Sequence, residues 1–341
     1  YEPTSAVSDQ EVEILFRLIE ALTDEGMAIV YVSHKLDELM RISHRITVLR
    51  DGRLVKTVAT SEANKETIVQ LMVGRELSDQ FTHSPAAQHG EVLRVEGLSL
   101  ASAESNRLRL QDISFSVSGG EVLGIFGLMG AGRTELLESI FGLHPHGTSG
   151  AIYVGGQAQK IRSPADAMQC GIGLVPEDRK QQGLVLQLNV LQNITLSSLA
   201  KLEQGPFLSG ARERRQAGEF VENLSIKTPT VTQNVRNLSG GNQQKVVLAK
   251  VLGAEPRVLL LDEPTRGIDV GAKHEIYRLI DQLKTRGLAI VVVSSELPEI
   301  LGIADRMLVI CEGRKTLEID RQQATEETLL AAAVPGVHEY A

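Results

Sequence analysis

The polar and apolar positions of the chain switch between two periods, and the switches mark its elements. Val12, Leu15, Phe16 and Ile19 recur at three- and four-residue spacing, which predicts a helix over 10–22. Ala28-Ile29-Val30-Tyr31-Val32 is a short apolar run rich in β-branched residues and predicts a buried strand. A short helix is expected over 36–42 and a strand over 46–49, ending at the turn Asp51-Gly52. Residues 77–90 are polar and turn-rich, which is linker composition. Beyond them, 92–95 and 113–117 alternate apolar and polar as half-exposed strands do, while 122–126 is apolar throughout and runs straight into a glycine loop. Residues 152–154 read as an edge strand, about 189–223 as helical and charged, and 258–261 as another buried strand. Strands alternating with helices imply a mainly parallel α/β core, with a helical insertion near 185–240.

The pattern also repeats. At an offset of 261 without gaps, Glu2-Pro3-Thr4 falls on Glu263-Pro264-Thr265, Arg17-Leu18-Ile19 on Arg278-Leu279-Ile280, and Gly26 on Gly287. Val32-Ser33 falls on Val293-Ser294, Arg45 on Arg306, and Gly52-Arg53 on Gly313-Arg314. A match of this length means tandem copies of one domain. Residues 1–76 then read as the back part of a first copy, 77–90 as the linker, and 91–335 as a complete second copy. Tyr1 stands where the second copy has Asp262. The first copy is expected to lack the segment that precedes Glu-Pro-Thr in the second, including strands that would bury 28–32, and so to pack poorly.

Composition narrows the function classes. The 341 residues are 42% hydrophobic, enough for a sizeable core, and carry a formal net charge of −8 with no long basic run, which argues against nucleic acid as a partner. The two cysteines, Cys170 and Cys311, suggest a reducing compartment and no disulfide framework. No apolar run reaches bilayer-spanning length, so any action at a membrane would go through a partner.

Three stretches carry candidate chemistry. The strand over 122–126 leads into Gly127-Leu128-Met129-Gly130-Ala131-Gly132-Arg133-Thr134 and a helix over 135–140. Such glycines let backbone N–H groups curl around a phosphate chain, and the helix N-terminus adds a favourable dipole. The spacing is GxxxxGK[ST] with arginine for lysine, and a guanidinium fork is not equivalent to an ammonium point charge. Asp262 and Glu263 end an apolar strand, where one carboxylate can hold Mg²⁺ and the next orient or deprotonate a water. Ser239-Gly240-Gly241 opens an amphipathic helix, with Ser239 expected as its cap and the glycines leaving N–H groups open to an anion.

Together the glycine loop, the Leu-Ser-Gly-Gly-Asn-Gln-Gln-Lys stretch over 238–245, the Leu-Asp-Glu-Pro-Thr strand end and Val32-Ser33-His34 resemble the ATP-binding cassette ATPases. Pro176-Glu177-Asp178-Arg179, Arg266-Gly267-Ile268-Asp269-Val270-Gly271-Ala272 and Asn242-Gln243-Gln244-Lys245 narrow the resemblance. They look like the second cassette of the fused tandem ATPases of bacterial monosaccharide importers (ribose, galactose, xylose, autoinducer-2), over nearly the whole chain. The resemblance implies a P-loop NTPase cassette: a mainly parallel sheet core, an antiparallel β subdomain and a helical subdomain. It also implies an ATPase using ATP and Mg²⁺, peripheral to the cytoplasmic face of the cell membrane. Its partners would be membrane-spanning permease subunits and, indirectly, a periplasmic or extracellular sugar-binding protein. In that family two cassettes pair head to tail, each ATP lying between the phosphate loop of one and the Ser-Gly-Gly stretch of the other. By resemblance, Ser239, Gly240, Gly241 and Gln243 would contact ATP on the first cassette's loop. There Glu2 would be the catalytic carboxylate and His34 the γ-phosphate sensor. The other site would use Gly127, Gly130, Ala131, Gly132, Arg133, Thr134, Glu177 and Ser295 for nucleotide, Thr134 and Asp262 for Mg²⁺, and Glu263 as catalytic carboxylate.

The chain departs from the family pattern at that second site. Arg133 replaces the lysine, Glu177 replaces a glutamine, His34 is matched by Ser295, and no aromatic residue lies between Gly97 and Gln111 to stack on adenine. The site is therefore expected to bind nucleotide and hydrolyse it poorly. On this reading neither composite site is complete within residues 1–341, so little ATPase activity is expected of the chain alone. A nucleoside importer ATPase is a close variant, from which the intact Asp262-Glu263-Pro264 tilts toward sugars. A non-catalytic regulatory or assembly module is the reading from another class. Arg212, Arg214 and Arg215 read as a solvated helix face, in the region that receives a permease helix in the family.

Overall fold

The computed structural model describes residues 9–335 other than 34–35, 51–52, 65–66, 69–70, 72–80, 82, 85–88, 102–107 and 205–206. Two compact units divide the chain, residues 1–80 with 269–271 and residues 81–268 with 272–341.

The smaller unit has helices α1 (Asp9–Asp24) and α2 (Leu36–Ile42) and a hairpin of β1 (Arg45–Arg50) and β2 (Arg53–Ala59). Ile46 and Val48, two residues apart and so on one face of β1, are buried with Ile68 against Leu36, Leu39 and Met40. Arg41 ties α2 to α1 through an ion pair with Glu13 and by lying 5.0 Å above the Phe16 ring. The Ala28–Val32 run, expected as a buried strand, carries no strand, and Val30 is 91% exposed. A strand needs a neighbour to complete its N–H and C=O pairing. Among the described residues of this unit the only ladder is β1 with β2.

The larger unit begins with β3 (His89–Ala101), β4 (Leu108–Gly119), β5 (Val122–Phe126), α3 (Arg133–Ile140), β6 (Thr148–Val154), β7 (Gln157–Gln159), α4 (Pro164–Gln169) and β8 (Ile172–Val175). A helical stretch follows: α5 (Val190–Thr195), α6 (Leu199–Leu202), the two-residue strands β9 (Glu203–Gln204) and β10 (Phe207–Leu208), α7 (Gly210–Asn223) and α8 (Gly240–Leu252). The chain closes with β11 (Val258–Asp262), α9 (Val270–Thr285), β12 (Ala289–Val293), α10 (Leu297–Ile303), β13 (Arg306–Cys311), β14 (Arg314–Asp320) and α11 (Glu326–Ala333).

A six-stranded sheet runs in the order β14-β13-β5-β12-β11-β8, parallel except where β14 pairs antiparallel with β13. Its central strands β5, β11 and β12 are buried along their whole lengths, which is why they read as continuous apolar runs. Alternate residues divide between two cores: Leu259 and Leu261 pack with the helices, Val258 and Leu260 with a second sheet. That second sheet is antiparallel, in the order β4-β3-β6-β7. The sequence suggests an edge strand over 152–154; β6 is instead interior, because the three-residue β7 covers its far side. In the helical stretch α7 carries Arg212, Arg214 and Arg215 on an exposed face, Arg215 paired with Glu219.

Phe81, His83 and Ser84 fall inside the range that reads as linker, yet they dock on the larger unit. The Phe81 ring centroid is 5.1 Å from that of Tyr277, and Ser84 donates its N–H and hydroxyl to Asp281 at 2.7 and 2.8 Å. His83 Nε2 lies 2.7 Å from Asp305 Oδ1, which also accepts from Lys284 Nζ at 2.7 Å. Asp305 Oδ2 accepts the Val122 N–H at 2.8 Å and so anchors the start of β5. Polar composition hides such a segment, because its partners lie far along the chain, 197 positions away for Asp281 and 222 for Asp305.

Lys284 is 1% exposed, and removing its carboxylate leaves an uncompensated buried charge. Asp305→Ala is expected to cost about 3–5 kcal/mol of stability in urea unfolding. Adding Lys284→Met should recover part of that loss.

Candidate functional site

Parallel pairing brings the candidate residues together. Asp262 of β11 stands beside Val293 of β12, and Val293 beside Ile125 of β5. Val175 of β8 stands beside Leu261. The glycine loop, Glu263, Ser294-Ser295 and Pro176-Glu177 therefore leave the sheet at one edge, the carboxyl ends of the strands, where ligands bind in open α/β sheets.

The loop after β5 turns tightly: Ala131 N–H donates to Leu128 carbonyl at 3.0 Å. Gly132 has φ +101°, open to glycine at little cost, and a Cβ there would lie 2.8 Å from Leu110 Cδ2. A Cβ on Gly127 would lie 2.4 Å from the Ile310 carbonyl oxygen. From behind, Gly313 N–H donates to Ala131 carbonyl at 2.9 Å, and Gln111 N–H to Gly313 carbonyl at 2.8 Å. Arg133 and Thr134 then open α3, whose first N–H groups have no intrahelical acceptor. The loop exposes Leu128, Met129 and Gly130 while Gly127, Ala131 and Gly132 are buried. A glycine loop held from below with its tip exposed, running into a helix N-terminus, suits a phosphate chain.

The two carboxylates behave differently. Asp262 is 2% exposed, and burial, the largest influence, pushes its pKa up to about 6; a hydrogen bond from Thr134 and the charge of Arg133 oppose the rise, while Glu263 and Glu138 add to it. Its Oδ1 is buried with no hydrogen-bond partner. A carboxylate and a hydroxyl, with one acceptor oxygen unsatisfied, fit a hard cation such as Mg²⁺, which takes one or two protein oxygens and completes its shell with water and phosphate. Among the described residues there is no cluster of three acidic, His or Cys side chains, so an all-protein metal cage is not formed.

Glu263 has φ +44°, the left-handed region that costs a side-chain-bearing residue roughly 1–2 kcal/mol. Glu263 N–H donates to Val293 carbonyl at 2.9 Å, and Arg266 N–H closes the turn on Glu263 carbonyl at 3.0 Å. The carboxylate accepts from Arg133 Nη1 at 3.1 Å on Oε1 and from Ser295 hydroxyl at 3.2 Å on Oε2. The Arg133 and Glu263 side chains are about one-tenth exposed. Arg133, Thr134, Asp262, Glu263 and Ser295 thus form one connected cluster.

Glu177 does not join that cluster; it forms an ion pair with Arg266. Beside it Arg179 donates to the Arg266 carbonyl at 2.7 Å and the Gly267 carbonyl at 3.0 Å, bolting the Pro-Glu-Asp-Arg loop to the turn after Glu263. The Ser239–Gln243 stretch also stands apart, with no hydrogen bond or ion pair to the cluster among the described residues. Ser239 takes the N-cap position of α8, but its hydroxyl does not cap the helix. It accepts instead from Asn242 Nδ2 at 2.9 Å, while Ser239 carbonyl accepts the Gln243 N–H at 2.9 Å. Ser239 is exposed and Gly240 half-buried, so the start of α8 is accessible, whereas Gly241 is buried against Ala272. Gln243 is 4% exposed with its amide on the Val235 carbonyl at 3.2 Å; the helix turns it inward, away from any external nucleotide. Glu2 and His34 lie outside the described residues.

A residue that motif reading passes over lies beneath the cluster. Glu299 on α10 is 1% exposed and hydrogen-bonded by Thr265 and Ser294; burial, its largest influence, pushes its pKa up to about 7 against those hydrogen bonds. Only the repeat flags it, since Glu38 stands at the matching place in the first copy.

An acid whose folded-state value exceeds its ordinary one holds an extra proton in the native state between the two, so stability falls as pH rises through that window. For Glu299 the window runs from 4.5 to about 7. Thermal melts between pH 5 and pH 8 should show a smaller loss of Tm for Glu299→Gln than for the wild type. Asp262 acts in the same direction at the lower end of the range and leaves a residual slope in both.

The chain is similar to known proteins over most of its length. Residues 110–266 match the ABC transporter family model. The chain is 50% identical to the ribose import ATP-binding protein RbsA of Rhodopirellula baltica, over 98% of the chain and 65% of that protein. It is 51% identical to the xylose import ATP-binding protein XylG of Moorella thermoacetica, over 98% of the chain and 66% of that protein. The chain thus spans just under two thirds of the length of these relatives. Among solved structures, a nucleotide-free ATP-binding cassette from an ABC transporter superposes with a TM-score of 0.60 at 23% identity, covering 73% of this chain and 98% of that one. A dimeric cassette bound to ADP and phosphate superposes at 0.58 and 21% identity, covering 67% and 98%. On these matches the chain belongs to the ABC transporter family.

Proposed function

We propose that this chain is part of the ATP-binding subunit of a bacterial sugar importer, and that its larger unit supplies a nucleotide site that binds Mg²⁺–ATP and turns it over slowly. The names of the ribose and xylose import relatives support the substrate class. The observation that carries the slow turnover is the engagement of Glu263 by both Arg133 and Ser295. Each oxygen of the would-be general base already accepts a hydrogen bond. The guanidinium that should face phosphate is directed at that base. Arg133 extends further than lysine and presents a fork that matches a carboxylate as readily as a phosphate.

In this reading the N–H groups of the 127–134 loop and α3 hold the phosphates, and Arg133 divides its donors between them and Glu263. Thr134 and Asp262 hold Mg²⁺, which supplies neutralisation of phosphate charge when bound. Ser295, in place of the imidazole, offers one short hydroxyl. Ser239 and Gly240 at the open end of α8 would meet the nucleotide of a partner cassette's loop. Permease subunits would be the membrane partners and a sugar-binding protein the upstream one. Among the described residues no helix is long and apolar enough to cross a membrane, so contact with the bilayer would be through those partners. The same engagement of Glu263 favours a second reading, a nucleotide-binding regulatory module without turnover.

Fluorescent-nucleotide titration with an ATPase assay separates these readings. The chain should bind Mg²⁺–ATP saturably and turn it over well below the ~1–10³ s⁻¹ of ordinary enzymes. Arg133→Ala should weaken binding by roughly tenfold or more, the loss of a charge-assisted hydrogen bond worth about 1.5–3 kcal/mol. Failure to saturate with nucleotide would sink the proposal, and saturable binding with no phosphate release would select the regulatory reading.

A further inference from the structure

Glu263 and Ser295 belong to segments that meet on one buried carboxylate. Thr265 hydroxyl lies 2.8 and 3.0 Å from the two oxygens of Glu299 and shares its proton between them. Ser294 hydroxyl donates to Glu299 Oε2 and accepts the Glu296 N–H at 3.0 Å. Thr265 lies in the turn that holds Glu263 in its left-handed conformation, and Ser294 is the residue before Ser295. The Thr265 and Ser294 hydroxyls, 29 residues apart, thus converge on Glu299, where the Tyr277 hydroxyl also hydrogen-bonds.

The repeat gives an independent view of the same pairing. At the offset of 261, Ser33 matches Ser294 and Glu38 matches Glu299. In the smaller unit Ser33 hydroxyl donates to Glu38 Oε2 at 3.2 Å, and Glu38 is 7% exposed. There the preceding apolar run carries no strand, whereas in the larger unit it is β12, buried throughout. The serine–glutamate contact therefore forms in two different packing environments, in the smaller unit beside a second hydrogen bond from the Tyr31 hydroxyl to Glu38 at 2.7 Å.

We propose that Glu299 is a positioning residue that fastens the Glu263 turn to the Ser294–Ser295 segment, so that the carboxylate and the hydroxyl facing the nucleotide move as one body. The role rests on the nucleotide-site reading above for its purpose, but not for its geometry. A buried carboxylate satisfied by hydroxyls is costly to leave half-satisfied, so loss of either donor loosens both segments.

Amide hydrogen exchange on the full chain, followed by mass spectrometry, tests the fastening. Thr265→Val removes one donor at nearly constant volume and Ser294→Ala the other. Each is expected to raise exchange about threefold or more in both 262–266 and 293–297, with the double variant close to either single one. Thr265→Ser should restore wild-type exchange in both segments, and Mg²⁺–ATP affinity should stay within about twofold throughout. Exchange that rises only in the segment carrying the substitution, additive effects in the double variant, or no rescue by Thr265→Ser would overturn the proposal. A wild-type chain that binds no ATP would refute the nucleotide-site reading while leaving the exchange comparison intact.

Discussion

Everything at this site depends on parallel strand pairing in register. With Asp262, Val293 and Ile125 level across three neighbouring strands, the residues that follow each strand must emerge at one edge. An antiparallel arrangement would send alternate loops to opposite ends. The long apolar runs of β5, β11 and β12 provide the burial, and Asp305 anchors the start of β5 by accepting the Val122 N–H. The phosphate loop, the two carboxylates and the serine pair come from segments far apart in the chain, and the sheet register is what makes them neighbours.

Within that frame the site is an electrostatic compromise. Asp262 is buried with one oxygen unpaired, and that burial raises its pKa. Glu263, in a strained backbone conformation, is held by Arg133 and Ser295. Beneath both, Glu299 gathers the hydroxyls of Thr265 and Ser294. Strain of this kind persists only where the surrounding hydrogen bonds over-determine it, and here the backbone bonds to Val293 and from Arg266 do so.

Much of the larger unit is legible in the chain. Apolar runs bounded by turn signals mark β5 and β11, and the glycine spacing marks the loop that opens α3. Legibility fails where the outcome depends on a distant partner. The Ala28–Val32 run has strand composition but no ladder to join. The 152–154 strand reads as an edge until β7 covers it. Phe81, His83 and Ser84 look like linker until Tyr277, Asp305 and Asp281 receive them. Gln243, expected by resemblance to contact a nucleotide, is turned inward by the helical phase onto Val235.

Residue type and spacing alone marked the internal repeat, the glycine loop and the paired carboxylates, and motif resemblance marked the family, because each is read along the chain without knowing what packs against it. Tertiary structure alone decided which of those groups touch. It joined Arg133 to Glu263, left Asp262 Oδ1 without a partner, drew Glu177 away to Arg266 and placed Glu299 under the site. Hydrogen bonds and ion pairs act over a few ångströms between residues from 34 to 130 positions apart, and only the folded sheet sets those distances.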